Sequence, residues 1–302
     1  MKYRKKMVIV TGYTCNNNCR FCCDGNKRHL KNLSLEQIKK TLEEARSKGF
    51  DYIHFLGGET TIRKDVFDMV SHAKKLNYKI IQITTNGRMF YYKEFAEKMV
   101  ECGLNEAIFS IHGHNAKLHD LITRSEGSFK QLITGIKNLK KLGVYIHANV
   151  TIVKQNYKYL EDIARNLVKL NIRSAEFIFV DPSGNALNDF DRIVPTYKEV
   201  EPFLHKAIEI GIKNKCNHWV SRYYPFCFMK GYEKHISELN EPHMEYVSPD
   251  IVDENVAETR KNARIKSEKC KQCKYELLCE GPWKECVNRR GWDEFKPVKG
   301  KK

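Results

Sequence analysis

Residues 7–22 read Met7-Val-Ile-Val-Thr-Gly-Tyr-Thr-Cys15-Asn-Asn-Asn-Cys19-Arg-Phe-Cys22, a short apolar run followed by three cysteines. The apolar run is typical of a buried β-strand. Three thiolates this close in sequence can bind three irons of a 4Fe–4S cluster, which leaves the fourth iron open to a ligand that is not protein. The alternatives are unrelated thiols or a zinc site, although zinc ligands usually come as C-x-x-C pairs or with histidine partners.

The strand pattern repeats along the chain. Apolar runs at 52–56, 80–84, 106–111, 145–153 and 175–180 alternate with amphipathic stretches near 65–76, 93–102, 129–142, 157–170 and 197–213. Ser34 and Gln37 fit a capping box that predicts a helix start, and Gly49 predicts its end. Strands alternating with helices of this length form βα units around a parallel sheet. The sequence therefore predicts an α/β fold with six βα units.

The pattern changes after about residue 214. Apolar periodicity fades, prolines recur, and six of the eleven cysteines of the chain lie in this segment. A loop-rich segment with little apolar content needs an additional constraint, and bound metal can supply it. We therefore predict two domains, a barrel domain over 1–214 and a small cysteine-rich domain over 215–302.

Composition narrows the class of protein. The chain has no signal peptide and no run of 18 apolar residues, so its cysteines favour metal or redox sites in a reducing cytoplasm, with no membrane association. Lysine and arginine number 53 against 37 acidic residues, a net charge of +16. This charge predicts an acidic partner such as a phosphorylated substrate, an acidic peptide or RNA, although a lysine-rich proteome gives the same composition. The basic residues are scattered and no recognition module is appended, which argues against nucleic acid.

Small polar residues follow several of the predicted strands. Active sites of parallel α/β folds lie at the carboxyl ends of the strands, so these residues are candidates for ligand binding. Ordinary turn chemistry explains each of them equally well when it is taken singly. The candidates are Gly57, Gly58, Glu59, Thr85, Asn86, Ser110 and Asn149.

Three of these motifs together resemble the radical S-adenosylmethionine (SAM) superfamily. They are the C-x3-C-x2-C triad with its aromatic Phe21, the sequence Gly57-Gly-Glu-Thr60 one βα unit later, and a His-Asp…Arg…Gly-Ser-Phe stretch over 119–129. The last stretch is similar to that of radical SAM enzymes that modify peptides. Thr60 stands where the family usually has proline, and His112 stands where aspartate is common. The resemblance implies a partial (β/α)6 TIM-like barrel.

The resemblance also implies roles for individual residues. The triad would bind a 4Fe–4S cluster, and Phe21 would pack near the adenine of SAM. The Gly-Gly-Glu turn would hold the amino group of SAM, and Arg124 would pair with its carboxylate through a planar fork. Further contacts to the nucleoside would come from Thr85, Asn86, Ser110 and Asn149.

The C-terminal cysteines Cys270, Cys273 and Cys279 have the spacing C-x-x-C-x5-C-x-G. This spacing resembles the SPASM and twitch extensions of radical SAM enzymes, which carry auxiliary iron–sulfur clusters. Cys227 and Cys286 compete for the fourth position. We favour Cys227, because it would tie the long insertion back to the barrel, and we predict one auxiliary 4Fe–4S cluster. A zinc ribbon is the alternative.

These features imply an enzyme that reductively cleaves SAM to a 5′-deoxyadenosyl radical and abstracts hydrogen from its substrate. The leading hypothesis for the substrate is a ribosomally synthesised peptide, which would receive a crosslink, a thioether or an epimerised residue. The alternatives are a small-molecule dehydrogenase or cofactor-biosynthesis enzyme, and a non-catalytic electron carrier. We expect an electron donor such as ferredoxin or flavodoxin. The thiols Cys23, Cys102 and Cys216 are unranked candidates for a hydrogen donor.

Overall fold

The computed structural model describes residues 5–216 and 218–300. Its centre is one mostly parallel sheet of nine strands in the described part of the chain: β1 Lys6–Val10, β2 Tyr52–Leu56, β3 Ile80–Thr85, β4 Glu106–Ser110, β5 Tyr145–Ile152, β6 Ser174–Phe179, β7 His218–Arg222, β8 Met244–Val247 and β9 Val252–Asp253. The order across the sheet is β7-β6-β5-β4-β3-β2-β1-β8-β9. The order does not close on itself, so the sheet is an open barrel.

Helices connect the parallel strands β1 to β7, and two further helices follow the last strand, β9. They are α1 Leu35–Ser47, α2 Val66–Lys75, α3 Lys93–Glu101, α4 Ala116–Thr123, α5 Ser128–Lys141, α6 Leu160–Lys169, α7 Gly184–Asn188, α8 Phe190–Ile193, α9 Tyr197–Lys213, α10 Val256–Asn262 and α11 Lys284–Arg290. Each of the strands β1 to β6 is followed by helix before the next strand begins, so the predicted α/β fold with six βα units is confirmed.

Local sequence explains the first of these units. The hydroxyl of Ser34 accepts a hydrogen bond from the Gln37 amide at 3.1 Å, and the Gln37 side chain accepts from the Ser34 amide at 2.8 Å. This reciprocal pair is the predicted capping box, and it satisfies two amides at the start of α1. Ile38, Leu42 and Ala45 then lie on the buried face of the helix.

The core lies between this ring of helices and the sheet. Ile9, Phe55, Ile83, Phe109 and Val150, from five successive strands, are fully buried. Buried residues run almost without interruption through β1 and β2, whereas in β4 and β5 they alternate with partly exposed residues. Because β1 to β7 all run in the same direction, the loops after them meet at one rim of the barrel.

The C-terminal segment joins the same sheet. Strand β7 pairs in parallel with β6, β8 pairs in parallel with β1, and β9 forms an antiparallel pair with β8. These three strands are not among those predicted from the sequence, because β8 and β9 are only four and two residues long, prolines flank β8, and Trp219 and Val220 are the only apolar residues of β7. The division at residue 214 stays a prediction, while the sheet itself continues across it.

A network of partly buried ion pairs lies in this segment and reaches the barrel at Glu176. Arg222 on β7 pairs with Glu176 on β6 at 2.8 Å and also pairs with Glu241. Arg260 on α10 pairs with the same Glu241 and with Glu280 at 2.6 Å. One charge network therefore joins β6, β7 and α10 with Glu241 and with Glu280, which is next to Cys279 in the chain. No helix in the described residues is both long and apolar enough to cross a membrane.

Candidate active site

One cavity of about 370 Å³ opens at the carboxyl ends of the parallel strands. Its volume lies in the range of about 300–1,000 Å³ that is common for small-molecule sites. Most of the predicted site residues line this central cavity: Cys15, Cys19, Phe21, Cys22, Gly57, Gly58, Thr85, Asn86, Ser110 and Asn149. The sequence motifs therefore meet in one place although they come from five βα units.

The first cysteine triad (Cys15, Cys19 and Cys22) lies on the loop after β1, here called the cysteine loop and covering residues 12–25. The amides of Asn18 and Arg20 donate to the carbonyls of Thr123 and Ile122 at 3.0 and 2.9 Å. These carbonyls belong to the last turn of α4 and have no partner within the helix. The amides of the cysteine loop thus satisfy the last carbonyls of α4, and the same hydrogen bonds fix the middle of the loop.

Helix α7 holds the other end of the cysteine loop. The Asn185 amide donates to the carbonyl of Cys22 at 2.9 Å, and its side-chain amide donates to the carbonyl of Cys19 at 2.9 Å. Two of the three cysteines are therefore positioned by one asparagine from the loop after β6. No sequence pattern indicates Asn185, because its helix is only five residues long and carries no periodicity.

The two glycines of the Gly-Gly-Glu turn permit close packing against the cysteine loop. A Cβ on Gly58 would lie 2.3 Å from the carbonyl oxygen of Thr14, and one on Gly57 would lie 2.4 Å from that of Gly12. The Gly58 and Glu59 amides donate to the carbonyls of Gly12 and Thr14, both at 2.8 Å. Only glycine allows the two backbones to approach this closely.

Glu59 lies behind the cavity wall and is 2% exposed. One carboxylate oxygen accepts from the hydroxyls of Thr61 and Thr85 at 2.5 and 2.8 Å, and the other accepts from the Asn86 amide at 2.6 Å. Burial raises the pKa of this carboxyl, and these hydrogen bonds oppose the rise. Glu59 therefore joins the turn after β2 to the turn after β3. Its predicted contact with SAM stays a prediction.

The His-Asp…Gly-Ser-Phe stretch forms the joint between α4 and α5. The Asp120 carboxylate accepts from the amides of Gly127 and Phe129 and from the Ser128 hydroxyl, each at 2.8 Å. Asp120 thus caps the start of α5. Arg124 ends α4 in a left-handed conformation, is exposed, and is not among the residues that line the central cavity. Its predicted pairing with SAM stays a prediction.

Two buried histidines pack beside Phe21. His112 lines the central cavity, and His119 lies behind it. The ring of His112 meets the Phe21 ring edge-on at 4.7 Å and stacks on His119 at 5.9 Å. Burial holds the pKa of His112 well below 6.5 and lowers that of His119 to about 4. Both rings are therefore neutral at pH 7, and they fix the aromatic side chain that precedes Cys22.

The electrostatics of the first cysteine triad fit a metal cluster. Burial raises the pKa of all three thiols, to about 11 for Cys15, while the nearby Arg28 guanidinium lowers the three values. Buried thiolates without compensation are unfavourable, so a bound cationic group is what allows them to ionise together. The triad supplies three thiolates around a cavity that has room for a further ligand.

A second cysteine group (Cys227, Cys270, Cys273 and Cys279) lines a smaller cavity in the C-terminal segment. The amide of Gly281 donates to the Cys279 sulfur at 3.3 Å, and the amide of Val298 donates to the Cys273 sulfur at 3.4 Å. Hydrogen bonds to sulfur are one means by which proteins tune iron–sulfur clusters. Three or more cysteine, histidine or acidic side chains arranged to hold a single metal ion were not found in 5–216 or 218–300.

The remaining cysteines lie apart from this group. Cys286 on α11 is buried, its thiol hydrogen-bonds to Tyr197, and it is not among the residues that line the smaller cavity. Cys23 lines the central cavity, whereas Cys102 ends α3 and Cys216 follows α9, and neither lines that cavity. Of the three candidate hydrogen donors, Cys23 alone is placed at the cavity.

An open parallel α/β barrel with a cysteine triad at the rim defines a class of enzymes that bind a metal cluster beside a small-molecule site. The family model described as the radical SAM superfamily matches residues 9–167, which is more than half of the chain. The chain therefore belongs to the radical SAM superfamily. SAM and a 4Fe–4S cluster are the cofactors of this family.

Curated relatives of this chain act on small molecules, according to their names. A probable GTP 3′,8-cyclase from Sulfurisphaera tokodaii is 27% identical over 219 residues, which cover 72% of this chain and 68% of that protein. An AdoMet-dependent heme synthase from Oleidesulfovibrio alaskensis is 26% identical over 212 residues, which cover 67% of this chain and 54% of that protein.

Solved structures similar to this chain extend over nearly all of it. Streptococcus suis SuiB, bound to its precursor peptide SuiA, has a TM-score of 0.69 at 15% identity and covers 98% of this chain and 75% of its own. The enzyme anSMEcpe with bound AdoMet has a TM-score of 0.67 at 16% identity and covers 97% of this chain and 93% of its own. At these identities the likeness shows the fold alone, and it includes the C-terminal segment.

Proposed function

We propose that this protein is a peptide-modifying radical SAM enzyme with one auxiliary 4Fe–4S cluster. The observation that supports it is the second cysteine group, four thiols around one cavity on a segment that is joined to the barrel by strand pairing and by the Arg222–Glu176 ion pair. SuiB and anSMEcpe, whose fold covers this segment as well as the barrel, have been solved with bound peptides.

Each group of residues has a role in this proposal. The first cysteine triad holds the catalytic cluster, and the second cysteine group holds the auxiliary cluster. Phe21, Thr85, Asn86, Ser110 and Asn149 bind SAM, while Gly57, Gly58 and Glu59 shape the turn beside it. When bound, the catalytic cluster supplies the electron that cleaves SAM to the 5′-deoxyadenosyl radical, which abstracts hydrogen from substrate. The residues that line the cavity position SAM and the substrate beside the cluster.

A second candidate function is a reaction on a small molecule. It is favoured by the sequence relatives, which are more similar in sequence to this chain than the peptide enzymes are. The net charge of +16 suits a phosphorylated substrate. Both candidate functions use the same cavity and the same first cysteine triad, so the substrate is what separates them.

Deuterium transfer distinguishes the two candidates. Peptides synthesised from short reading frames beside the gene, with deuterated residues, are incubated anaerobically with reconstituted enzyme, SAM and dithionite, and deuterated GTP is tested in parallel. We expect deuterium in 5′-deoxyadenosine only with a peptide, together with a change in the mass of that peptide. Transfer from GTP and not from peptides would contradict the proposal and support the small-molecule candidate.

A further inference from the structure

The loop between Cys273 and Cys279 exposes two adjacent leucines. Leu277 is 87% exposed and Leu278 is 58% exposed. Single exposed apolar residues are normal on protein surfaces, whereas apolar residues grouped together and rimmed by polar ones mark interaction sites. Leu278 also lines a shallow pocket with Cys279, so the leucine pair lies directly beside the second cysteine group.

Lysines lie on the same segment as this leucine pair, and one of them is adjacent to it. The Lys266 ammonium donates to the carbonyl of Glu276 at 2.8 Å, which places its charge next to Leu277. Lys266 and Lys296 both line the cavity of the second cysteine group. Between residues 266 and 274 there are four lysines and one glutamate, and that glutamate is already paired with Lys271 at 2.7 Å. Glu276 lines the same cavity, so the surface beside the cysteines has an excess of lysines over acidic residues and a small apolar centre.

The cysteines themselves lie close to this surface. Cys227, Cys270 and Cys279 are each partly exposed, and Cys273 alone of the four is buried. A redox group held by these thiols would therefore lie close to the protein surface. Electron exchange with a second protein needs such proximity, and it does not need a large interface.

We propose that Lys266, Leu277, Leu278 and Lys296 form a docking patch for an acidic one-electron carrier protein of the flavodoxin or ferredoxin class. The proposal rests on the auxiliary cluster of the proposed function, because the patch surrounds the cysteines that would hold it. Two exposed leucines are too small an area for a stable dimer, but transient electron-transfer complexes bury small interfaces. The lysines supply electrostatic steering toward an acidic partner.

Binding of an acidic flavodoxin to the reconstituted holoenzyme tests the docking patch. Affinity is measured by titration calorimetry at low and at moderate salt for wild type, for Leu277→Ser/Leu278→Ser and for Lys266→Glu/Lys296→Glu. The matched controls are Ile212→Ser on α9 and Lys75→Glu/Lys137→Glu on α2 and α5, which change exposed residues of the same kinds elsewhere. Both lysine double variants alter the net charge equally, so general steering is separated from docking at the patch.

We expect the leucine variant to weaken flavodoxin binding at least about fivefold, as loss of an interface anchor does. The Lys266→Glu/Lys296→Glu variant should bind more weakly than its control and show a flatter salt dependence. Equal affinity of patch and control variants would overturn the proposal. A shift in sedimentation from dimer to monomer in the leucine variant, with flavodoxin binding unchanged, would also overturn it, because the patch would then bind a second copy.

Failure of the docking patch can be distinguished from failure of the proposed function. Iron content and dithionite-driven SAM cleavage are measured on the same preparations, and neither requires flavodoxin. We expect both to equal wild type in the leucine variant. Absence of the second set of irons in wild type would contradict the auxiliary cluster whatever the binding data show.

Discussion

The Glu59 carboxylate joins the turns after β2 and β3. Both oxygens accept hydrogen bonds from donors that are themselves buried, namely the Asn86 amide and the hydroxyls of Thr61 and Thr85. A buried donor that loses its acceptor costs more free energy than the bond contributed. The position of Asn86 at the central cavity therefore depends on the charge and shape of residue 59.

Glu59→Gln tests this dependence. The new amide group turns an NH2 toward at least one buried donor, so we expect the free energy of unfolding to fall by about 1–3 kcal/mol and SAM affinity to fall with it. Denaturant unfolding and equilibrium dialysis of SAM measure the two effects. Glu44→Gln on the exposed face of α1 is the control. Unchanged stability and SAM affinity in the Glu59 variant would contradict the role of the carboxylate in positioning Asn86.

His119 makes stability depend on pH. Burial lowers its pKa from 6.5 to about 4, so between these values the unfolded chain takes up a proton that the folded chain does not. Stability is therefore complete above about pH 6.5 and is lost as the pH falls toward 4. From this group alone we expect unfolding at pH 5.5 to need about 1 kcal/mol less free energy than at pH 7.5.

Denaturant unfolding of wild type and His119→Gln at pH 7.5, 6.5 and 5.5 measures this contribution. The variant should be less stable at pH 7.5 but should lose less stability between pH 7.5 and 5.5. His243→Gln is the control, because His243 is an exposed histidine directly before β8. This variant should keep the wild-type dependence of stability on pH. An identical slope in the His119 variant would mean that His119 contributes nothing to the pH dependence.

At the scale of elements, the cysteine loop is held by α4 on one side and by α7 on the other. The asparagine of α7 reaches the carbonyls of both Cys19 and Cys22. Backbone bonds of this kind fix the direction of the cysteine side chains without contacting the metal. Ligand orientation by surrounding hydrogen bonds commonly changes metal affinity by about 10- to 100-fold.

Asn185→Ala should therefore release iron faster. We expect the rate of iron transfer to a ferrous chelator to rise by about tenfold or more, with SAM cleavage reduced in proportion to the iron lost. Absorbance of the chelate under anaerobic conditions measures the rate. Asn188→Ala removes an exposed asparagine from the same helix and should release iron at the wild-type rate. Equal rates in the two variants would contradict the role of Asn185.

Elements that are determined by local sequence could be predicted, and elements that are determined by neighbours could not. The start of α1 depends on a capping box of two nearby residues, so Ser34 and Gln37 sufficed. Strand β8 has a weak apolar pattern and becomes a strand only because the edge of β1 is available to pair with it. Asn185 is distant in sequence from Cys19 and Cys22, so no local pattern indicates their contact.

At the scale of the whole molecule, the barrel and the cysteine-rich segment share one sheet and one ion-pair network. This network runs from Arg222 on β7 through Glu241 and Arg260 to Glu280, which is next to Cys279 in the chain, and it includes none of the cysteines. Removal of cysteines from the second group should therefore leave the barrel folded and able to cleave SAM. The two clusters of the proposed function can be tested separately for this reason.

The choice between Cys227 and Cys286 is a prediction at this scale. Cys227 lines the cavity with the other three cysteines, whereas Cys286 contacts Tyr197 in the core. We expect Cys227→Ala to lose iron and to change the electron paramagnetic resonance signal of the reduced protein. Cys286→Ala should retain the iron and the signal of wild type. The reverse pattern would assign the fourth ligand to Cys286.

The central claim is that the chain holds two 4Fe–4S clusters and that only the first cysteine triad performs radical chemistry. Anaerobic iron and sulfide analysis with dithionite-driven SAM cleavage tests it in wild type, in Cys15→Ala/Cys19→Ala/Cys22→Ala and in Cys270→Ala/Cys273→Ala. We predict about eight irons in wild type and about four in each variant, with 5′-deoxyadenosine from wild type and the second variant alone. About four irons in wild type, or 5′-deoxyadenosine from the triad variant, would contradict the claim.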